Sequence, residues 1–396
     1  MKRLLRISLD LLLVSVLPIA MWLVLGIIVR PEIANVFSLT YPLQFVFNIF
    51  IAIFGVGPNI TARKLKDKNI VSTNLMVGMF VVVMFVATVC LNVDWYIELM
   101  SLEPEIYRDF CTYAIIWIGL VCIISIISQK LYYVGKNKAS NIMNLILSLS
   151  NFILIVGLNL IMETRSAINL TLVVDVLIVL FFLLRNFEKH KFSLKLFQNI
   201  KNTSFTLIER SCNSLTYGVG FANSFSYGKA FIDAINFETL TTDAQWDALE
   251  AVDVVAKIDF TENKFRLRKT LKNAYKLVAI LLGTVAIMNV GLYWYYRPEL
   301  WILLIILGIQ VIDMLMTPII VCYWSYMQII DNKPKHNVML FGIRTIRAVC
   351  SFIPTGFCTY IGQLLSMLAR YIYAKVECRN VKVFQLNRFS KRLRGR

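Results

Sequence analysis

The residues best suited to charge chemistry lie in one acidic stretch, residues 241–260. Drawn as a helix, this stretch places acidic side chains on a single stripe, with Trp246 and Asp253 at its edge. The stripe consists of Asp243, Asp247 and Glu250, continued by Lys257. The opposite side carries small or apolar residues: Ala244, Ala248, Ala251, Val252 and Val255. Such a helix is out of place in so hydrophobic a chain, so the stripe is the first candidate site.

The stripe suits cation exchange if the helix crosses a membrane. Each charge at the centre of a membrane helix costs ~2.5–3.5 kcal/mol, so these acids would have to face a water-filled cavity or find partners. Neighbouring carboxylates in a partly dry cavity cannot all ionise, which favours binding H⁺ or Na⁺ in exchange for a substrate. The alternative is an amphipathic helix outside the bilayer with a solvated acidic face.

Two further segments carry isolated acids. Gln310, Asp313 and Thr317 share one face of an apolar segment, and Asp313 lies near its centre. An acid at that depth is a functional candidate, although it could instead be a structural contact between helices. Glu209 and Tyr217 lie in a polar segment over 203–227. Glu209 could join the cation site or pair with another helix for structure.

The remaining candidates border a substrate cleft. Arg344 and Arg347, one helical turn apart, could neutralise the acidic stripe or meet an anionic substrate. They could equally extend to the membrane interface, as long basic side chains often do. Asp175 is the only acid near the middle of its apolar segment, and we assign it to the cleft as well.

Composition identifies a polytopic membrane protein. Of the 396 residues, 58% are hydrophobic and 16% are charged, and the mean hydropathy is +0.67, whereas soluble domains are nearer a quarter charged. The net charge of +17 fits basic cytoplasmic loops rather than nucleic-acid binding. The eight cysteines have no metal or redox spacing, and no nucleotide-binding or hydrolase motif occurs. We therefore expect no enzyme activity and no cofactor beyond a coupling Na⁺ or H⁺.

Hydropathy alone predicts ten transmembrane helices, whereas loop charge and a six-plus-six symmetry favour an all-α fold of twelve. They are placed at residues 4–29, 41–62, 70–91, 110–133, 139–162, 167–184, 203–227, 237–258, 275–296, 300–327, 338–355 and 357–374. Loop charge alternates along the chain, which predicts that both termini are cytoplasmic. Because six helices fall on each side of a polar stretch, the predicted domains are a six-helix lobe (1–190), a cytoplasmic linker (191–202) and a second six-helix lobe with a basic tail (203–396).

Several motifs resemble the multidrug and toxic compound extrusion (MATE) family. Residues 57–63 (GPNITAR) look like the end of helix 2 and the short basic turn of such proteins. Residues 242–247 (TDAQWD) through 254–259 (VVAKID) resemble a stretch of a divergent bacterial MATE-like subgroup. Pro18 in the first helix and the six-plus-six arrangement fit the same family, which belongs to a larger flippase superfamily.

The resemblance implies two lobes around a central cleft that work by alternating access in the bacterial cytoplasmic (inner) membrane. It implies export of organic cations or other amphiphiles in exchange for Na⁺ or H⁺, with family cation-site acids in helices 7 and 10. Glu209 and Asp313 are the positions that could match. No acid follows Pro18 in helix 1, so coupling is expected in the C-terminal lobe. The expected partners are membrane lipid, a small-molecule substrate and a coupling cation, and a monomer is expected.

Two other functions stay open. A flippase for a lipid-linked saccharide or other anionic lipid would use Arg344 and Arg347. A non-transporting membrane scaffold or partner subunit would need only the fold.

Overall fold

A computed structural model describes residues 2–187, 190–262, 266–330 and 334–394, and the regular structure in these ranges is helical. Helices α1 to α7 are Lys2–Ile28, Val36–Ile51, Gly57–Leu65, Asn69–Leu91, Val93–Leu99, Pro104–Tyr133 and Asn137–Asn159. Helices α8 to α14 are Thr164–Asn186, Leu196–Phe225, Lys229–Glu262, Leu267–Tyr296, Leu300–Ile330, Pro334–Cys350 and Cys358–Arg394. A 3₁₀ turn at Pro31–Asn35 precedes α2, and a π-helical turn at Ala52–Val56 joins α2 to α3.

The elements correspond to the twelve predicted helices, with α2 and α3 together forming the second and the short α5 as an addition. The main difference concerns the acidic helix. It was predicted at 237–258 but forms a 34-residue helix, α10, which begins at Lys229. Gly228 adopts a φ of +102° just before this helix, a conformation that ends the preceding turn and favours glycine. Residues 229–238 contain no proline or glycine, so the helix extends back through Glu238.

Seven helical segments in the described residues are long and apolar enough to cross a membrane. They are Pro31–Leu65, Asn69–Leu91, Pro104–Tyr133, Ala139–Asn159, Thr164–Asn186, Leu267–Tyr296 and Leu300–Met327. The acidic α10 is not among them, because its charged residues are too many for a lipid-facing span. Whether α10 lies within the membrane therefore depends on its burial against neighbouring helices rather than on its own hydropathy.

Contacts divide the chain into two compact units. The continuous unit is Leu17–Ser226, and the split unit joins the chain up to Val16 with the residues from Tyr227 onward. In the continuous unit, α6 is the most buried spanning segment and packs against α2, α4, α7 and α8. Helix α9, predicted in the C-terminal lobe, packs here on α2 and α3. The predicted boundaries, with lobes at 1–190 and 203–396, describe the two halves of a transporter rather than these packing units, and they stay a prediction.

Gly57 allows α3 to approach α9 closely. A Cβ at this position would lie 2.9 Å from the Asn199 carbonyl oxygen and 3.1 Å from that of Ala52. Both neighbours are backbone atoms, which cannot move aside cheaply. We expect Gly57→Ala to lower the free energy of unfolding by about 1–3 kcal/mol, measured by thermal unfolding in detergent. Gly157→Ala in α7 is the control, because a Cβ there meets no atom within 4 Å. An equal loss in both variants would contradict the packing argument.

The predicted linker is bonded to the continuous unit along its length. Ser193 Oγ donates to Asp67 Oδ2 (2.7 Å), and its backbone N–H donates to Thr73 Oγ1 (3.0 Å). Asn199 Nδ2 donates to Asn74 Oδ1 (2.9 Å), and Asn202 Nδ2 donates to Thr61 Oγ1 (2.9 Å). Helix α9 already begins at Leu196. This segment is thus a fixed strap on α3 and α4 rather than a loose connection.

The strap has an expected pH dependence. The Ser193 hydroxyl and the Asn69 backbone N–H hold the pKa of Asp67 below its ordinary value of 3.8. Since the pKa is lower in the folded state, the stabilisation is present above about pH 4 and is lost as pH falls through the folded value. Asp67→Asn should therefore lower the melting temperature slightly at pH 7, and this difference should disappear only once the pH is below the folded-state pKa of Asp67. Ser193→Ala should reduce the same difference, and an effect of either variant that grows in acid would contradict this assignment.

The split unit is built around α12, which packs against α10, α11 and α14, while α13 packs on α14. The small, apolar side of α10 is buried in its core, as the residues Ala248, Ala251, Val252 and Val255 show. Leu4, near the start of α1, is 2% exposed in the same core. The opposite side of α10 is therefore the one left for polar chemistry.

Candidate functional site

Glu238 on α10 is the most completely enclosed acid of the split unit, 3% exposed. It accepts a hydrogen bond from Thr242 Oγ1 (2.5 Å) one turn along the same helix. It also accepts one from the Tyr360 hydroxyl on α14 (2.8 Å). The Gln310 side chain of α12 lies nearby. Glu238 is thereby held between α10 and α14, with α12 beside it.

Asp313 lies in the same network. Its Oδ2 accepts a hydrogen bond from Gln363 Nε2 (2.8 Å), and the same amide group donates to Gln310 Oε1 (2.9 Å). Trp246 Nε1 on α10 also donates to Gln310 Oε1 (3.2 Å). Asp313 is 4% exposed. Gln363 therefore links Asp313 to Gln310 by hydrogen bonds, and Gln310 in turn lies near Glu238.

Basic side chains border this acidic network. Arg370 lies 4.0 Å from Asp313 Oδ1, an atom without a hydrogen bond in the part of the chain that the structure describes. Arg347 on α13 donates to Gln363 Oε1 at 3.5 Å and interacts electrostatically with Glu238. Arg344, one turn away, is half-buried. Arg347 thus faces the network, which is the arrangement expected if it neutralises carboxylates.

The predicted acidic stripe lies beside this network on α10. Asp243 and Asp247 are half-buried and Glu250 is exposed. Asp253 accepts hydrogen bonds from Ser325 Oγ (2.7 Å) and Lys257 Nζ (2.6 Å). Among the residues predicted for the stripe and its edge, Trp246 donates a hydrogen bond directly to Gln310 in this network. The cation-binding role of the stripe stays a prediction.

A second buried acid lies in the continuous unit. Asp175 on α8 is fully buried and accepts a hydrogen bond from Asn151 Nδ2 on α7 (2.5 Å). The Tyr113 hydroxyl on α6 donates to Asn151 Oδ1 (2.9 Å). The other oxygen of Asp175 has no hydrogen bond among the described residues. Asp175 is therefore enclosed between three helices.

The other two candidates of this unit lie on α9. Tyr217 stacks on Phe45 of α2, with ring centroids 5.2 Å apart, and meets Tyr41 edge-on at 4.8 Å. Glu209 is half-buried two turns earlier. Since Glu209 belongs to the continuous unit and Asp313 to the split unit, their proposed pairing as one cation site stays a prediction.

Sequence reasoning missed several members of the network: Glu238, Thr242, Tyr360, Gln363 and Arg370. The start of α10 was predicted at residue 237, eight residues too late, so Glu238 lay at the predicted end of the helix and was not considered a candidate, although Gly228 signals the earlier start. Gln363 and Arg370 are separated by seven residues, two turns of one helix face, in a helix that otherwise looked like a simple span. That spacing was the available signal.

The network offers oxygen ligands and proton acceptors in a nearly dry setting. Two carboxylates, two amide oxygens and two hydroxyls come from α10, α12 and α14. No cluster of three His, Cys, Asp or Glu side chains with metal-binding spacing occurs among the described residues. Oxygen donors of these kinds are the ligands that hard cations prefer.

Neither a protein-family model nor a curated protein matches the sequence. Solved structures do match over nearly the whole chain. An inward-facing multidrug resistance MATE family transporter of the MOP superfamily is 14% identical, with a TM-score of 0.67, and the alignment covers 93% of this chain and 95% of that one. The chain has the MATE transporter fold. An outward-facing MATE transporter matches at 16% identity and a TM-score of 0.60, over 96% of each chain.

A MOP superfamily transporter from Pyrococcus furiosus also shares the MATE fold. It is 14% identical, with a TM-score of 0.65 and coverage of 96% of each chain. Its binding pocket is described as reversed in polarity, which suggests a different function for that protein. The predicted fold class, an all-α membrane protein of the MATE type, is confirmed by these matches, which at such low identity concern the fold alone.

Proposed function

We propose that this chain is a cation-coupled antiporter that exports organic cations or other amphiphilic small molecules by alternating access. The observation that carries the proposal is a buried polar group in which Gln363 donates hydrogen bonds to Gln310 and Asp313, with Glu238 buried nearby. Two acids enclosed this deeply in a membrane protein are expensive to keep charged, so retaining them favours a role in binding a cation. The proposed site lies in the split unit, in the bacterial cytoplasmic membrane.

The proposed mechanism uses one site in two states. Na⁺ would bind the carboxylates together with the Gln310 and Gln363 amide oxygens, or H⁺ would neutralise one carboxylate. Loss of negative charge would release Arg347 and Arg370 from their acidic partners. The loaded and empty sites would then pack differently. Exchange requires the cation and the substrate to bind one orientation of the lobes more tightly than the other. Trp246 and the half-buried stripe of α10 are proposed to face the substrate.

The test is ion-driven uptake into everted membrane vesicles. A fluorescent organic cation is supplied with an imposed Na⁺ or H⁺ gradient, and wild type is compared with the double variant Glu238→Gln/Asp313→Asn. We expect gradient-driven uptake in wild type and none in the double variant. Glu105→Gln/Asp109→Asn, at two exposed acids of α6, is the charge-matched control and should transport normally. Equal uptake by the double variant and wild type would refute the proposal.

A flippase for an anionic lipid is the second candidate, favoured by the position of Arg347 within the network. Its test is translocation of a fluorescent lipid-linked saccharide in proteoliposomes. Arg344→Gln/Arg347→Gln should abolish flipping, while the same variant in the cation assay keeps at least part of its uptake. A protein inactive in both assays, with native folding, would favour the non-transporting scaffold.

A further inference from the structure

The start of α11 carries a basic stripe that the proposed transport site does not use. Arg268, Lys272 and Lys276 follow at intervals of four residues and are all exposed. None of the three forms an ion pair with the described residues, whereas nearby Arg266 lies 3.7 Å from Asp259. Like charges one turn apart repel each other on a helix. Among the residues that the structure describes, the stripe therefore has no ion-pair partner.

An open groove runs along the same face. It has a volume of about 510 Å³ and is lined by the three cations together with Leu271, Tyr275 and Ala279. The groove thus combines three cations, one tyrosine and an apolar floor.

The position of the groove along α11 matches the membrane interface. The segment Leu267–Tyr296 is one of the membrane-spanning candidates, and beyond Lys276 its outer face is apolar, with Ile280 half exposed and Ile287 74% exposed. From Arg268 to Lys276 the helix rises about 12 Å. The stripe therefore extends from the boundary of the hydrocarbon layer outward through the headgroup layer.

We propose that this groove binds an anionic phospholipid, with the phosphate between Arg268, Lys272 and Lys276 and an acyl chain over Leu271, Tyr275 and Ala279. Charge complementarity selects the ligand, because basic pockets at the cytoplasmic ends of membrane helices hold anionic headgroups. Long basic side chains reach headgroup phosphates while their stems lie on apolar surface. Tyrosines such as Tyr275 prefer the same depth. This inference does not depend on the proposed transport activity.

The test is native mass spectrometry of the full chain in neutral detergent with phosphatidylglycerol or phosphatidylcholine. Wild type should retain phosphatidylglycerol about tenfold better. Arg268→Gln/Lys272→Gln/Lys276→Gln should bring that ratio close to one. The control Lys136→Gln/Lys191→Gln/Lys201→Gln removes the same charge from exposed lysines of the continuous unit and should leave the ratio unchanged.

A second variant separates the lipid from a free anion. Ala279→Trp fills the apolar part of the groove without changing charge, and it should weaken phosphatidylglycerol retention several-fold. Displacement of the lipid by inorganic phosphate, with no effect of Ala279→Trp, would identify a free-anion site and overturn the proposal. An equal loss in both triple variants would overturn it too, because the selectivity would then follow net charge alone.

Discussion

Replacing Asp313 by asparagine should abolish cation-driven transport while leaving the fold in place. Asparagine has nearly the same shape, and its amide oxygen can still accept the hydrogen bond that Gln363 gives to Asp313 at 2.8 Å. What is lost is the charge that would bind Na⁺ or H⁺. We expect gradient-driven flux to fall by about 100-fold, the upper end of coupling free energies between sites.

The matched control for this substitution is Asp259→Asn in the same unit. Asp259 is also largely buried, and it holds Thr270 Oγ1 at 2.8 Å and Arg266 at 3.7 Å. It belongs to a separate contact near the end of α10, so its neutralisation should leave flux within about threefold of wild type. Substrate affinity measured without a gradient should change little in Asp313→Asn. An equal loss of flux in both variants would show that any buried acid matters, and it would remove Asp313 from its proposed role.

The second large effect is on stability, at Asn151 in the continuous unit. Asn151→Leu would remove the donor to Asp175 and the acceptor of the Tyr113 hydroxyl at once. Hydrogen bonds between membrane helices average only about 0.6 kcal/mol. Asp175 would lose the hydrogen bond from Asn151, and the Tyr113 hydroxyl would keep only the weak acceptor Met21 Sδ at 3.6 Å. Buried polar groups deprived of a good partner cost more, at ~1–3 kcal/mol each. We expect the free energy of unfolding to fall by about 3 kcal/mol, measured by thermal unfolding in detergent.

Two variants distinguish this mechanism from simple overpacking. Asn159→Leu is the control on the same helix. Among the described residues the Asn159 side chain donates to the backbone carbonyl of Ile155, one turn earlier in α7 (2.7 Å). Its loss should lower the free energy of unfolding by less than about 1 kcal/mol. Asn151→Leu/Asp175→Leu removes both partners, so it should be more stable than Asn151→Leu alone. A double variant less stable than either single one would contradict the assignment.

The sequence was enough to predict the class and approximate course of the fold, because long apolar segments and alternating loop charge are local properties. It also identified Asp313, Gln310 and Asp175, since an isolated polar residue in an apolar helix needs a partner wherever it lies. The partners themselves could not be predicted. That Gln363 bridges Gln310 and Asp313, or that Asn151 meets Asp175, depends on how α12 and α14, or α7 and α8, pack.

Helix ends explain most of the remaining difference. Glu238 was missed because it fell at the very start of the predicted helix, at residue 237, whereas the backbone begins α10 after Gly228 and places Glu238 well inside it. Similarly, residues 191–202 are polar enough to be a linker. Their side chains nevertheless find partners such as Thr73 and Asn74 on α4, which composition alone does not reveal.

The division of the chain into a continuous and a split unit has a consequence for biogenesis. All of Leu17–Ser226 is available as soon as α9 has been synthesised, so the continuous unit can assemble during translation. The split unit needs the first turns of α1, where Leu4 enters its core, and that partner surface is made on the order of 200 residues later. At ~5–20 residues per second, the beginning of the chain waits roughly 10–40 s in the membrane before its core partners emerge. Truncation from the C-terminus should therefore leave the start of α1 exposed to quality-control proteases while the continuous unit survives.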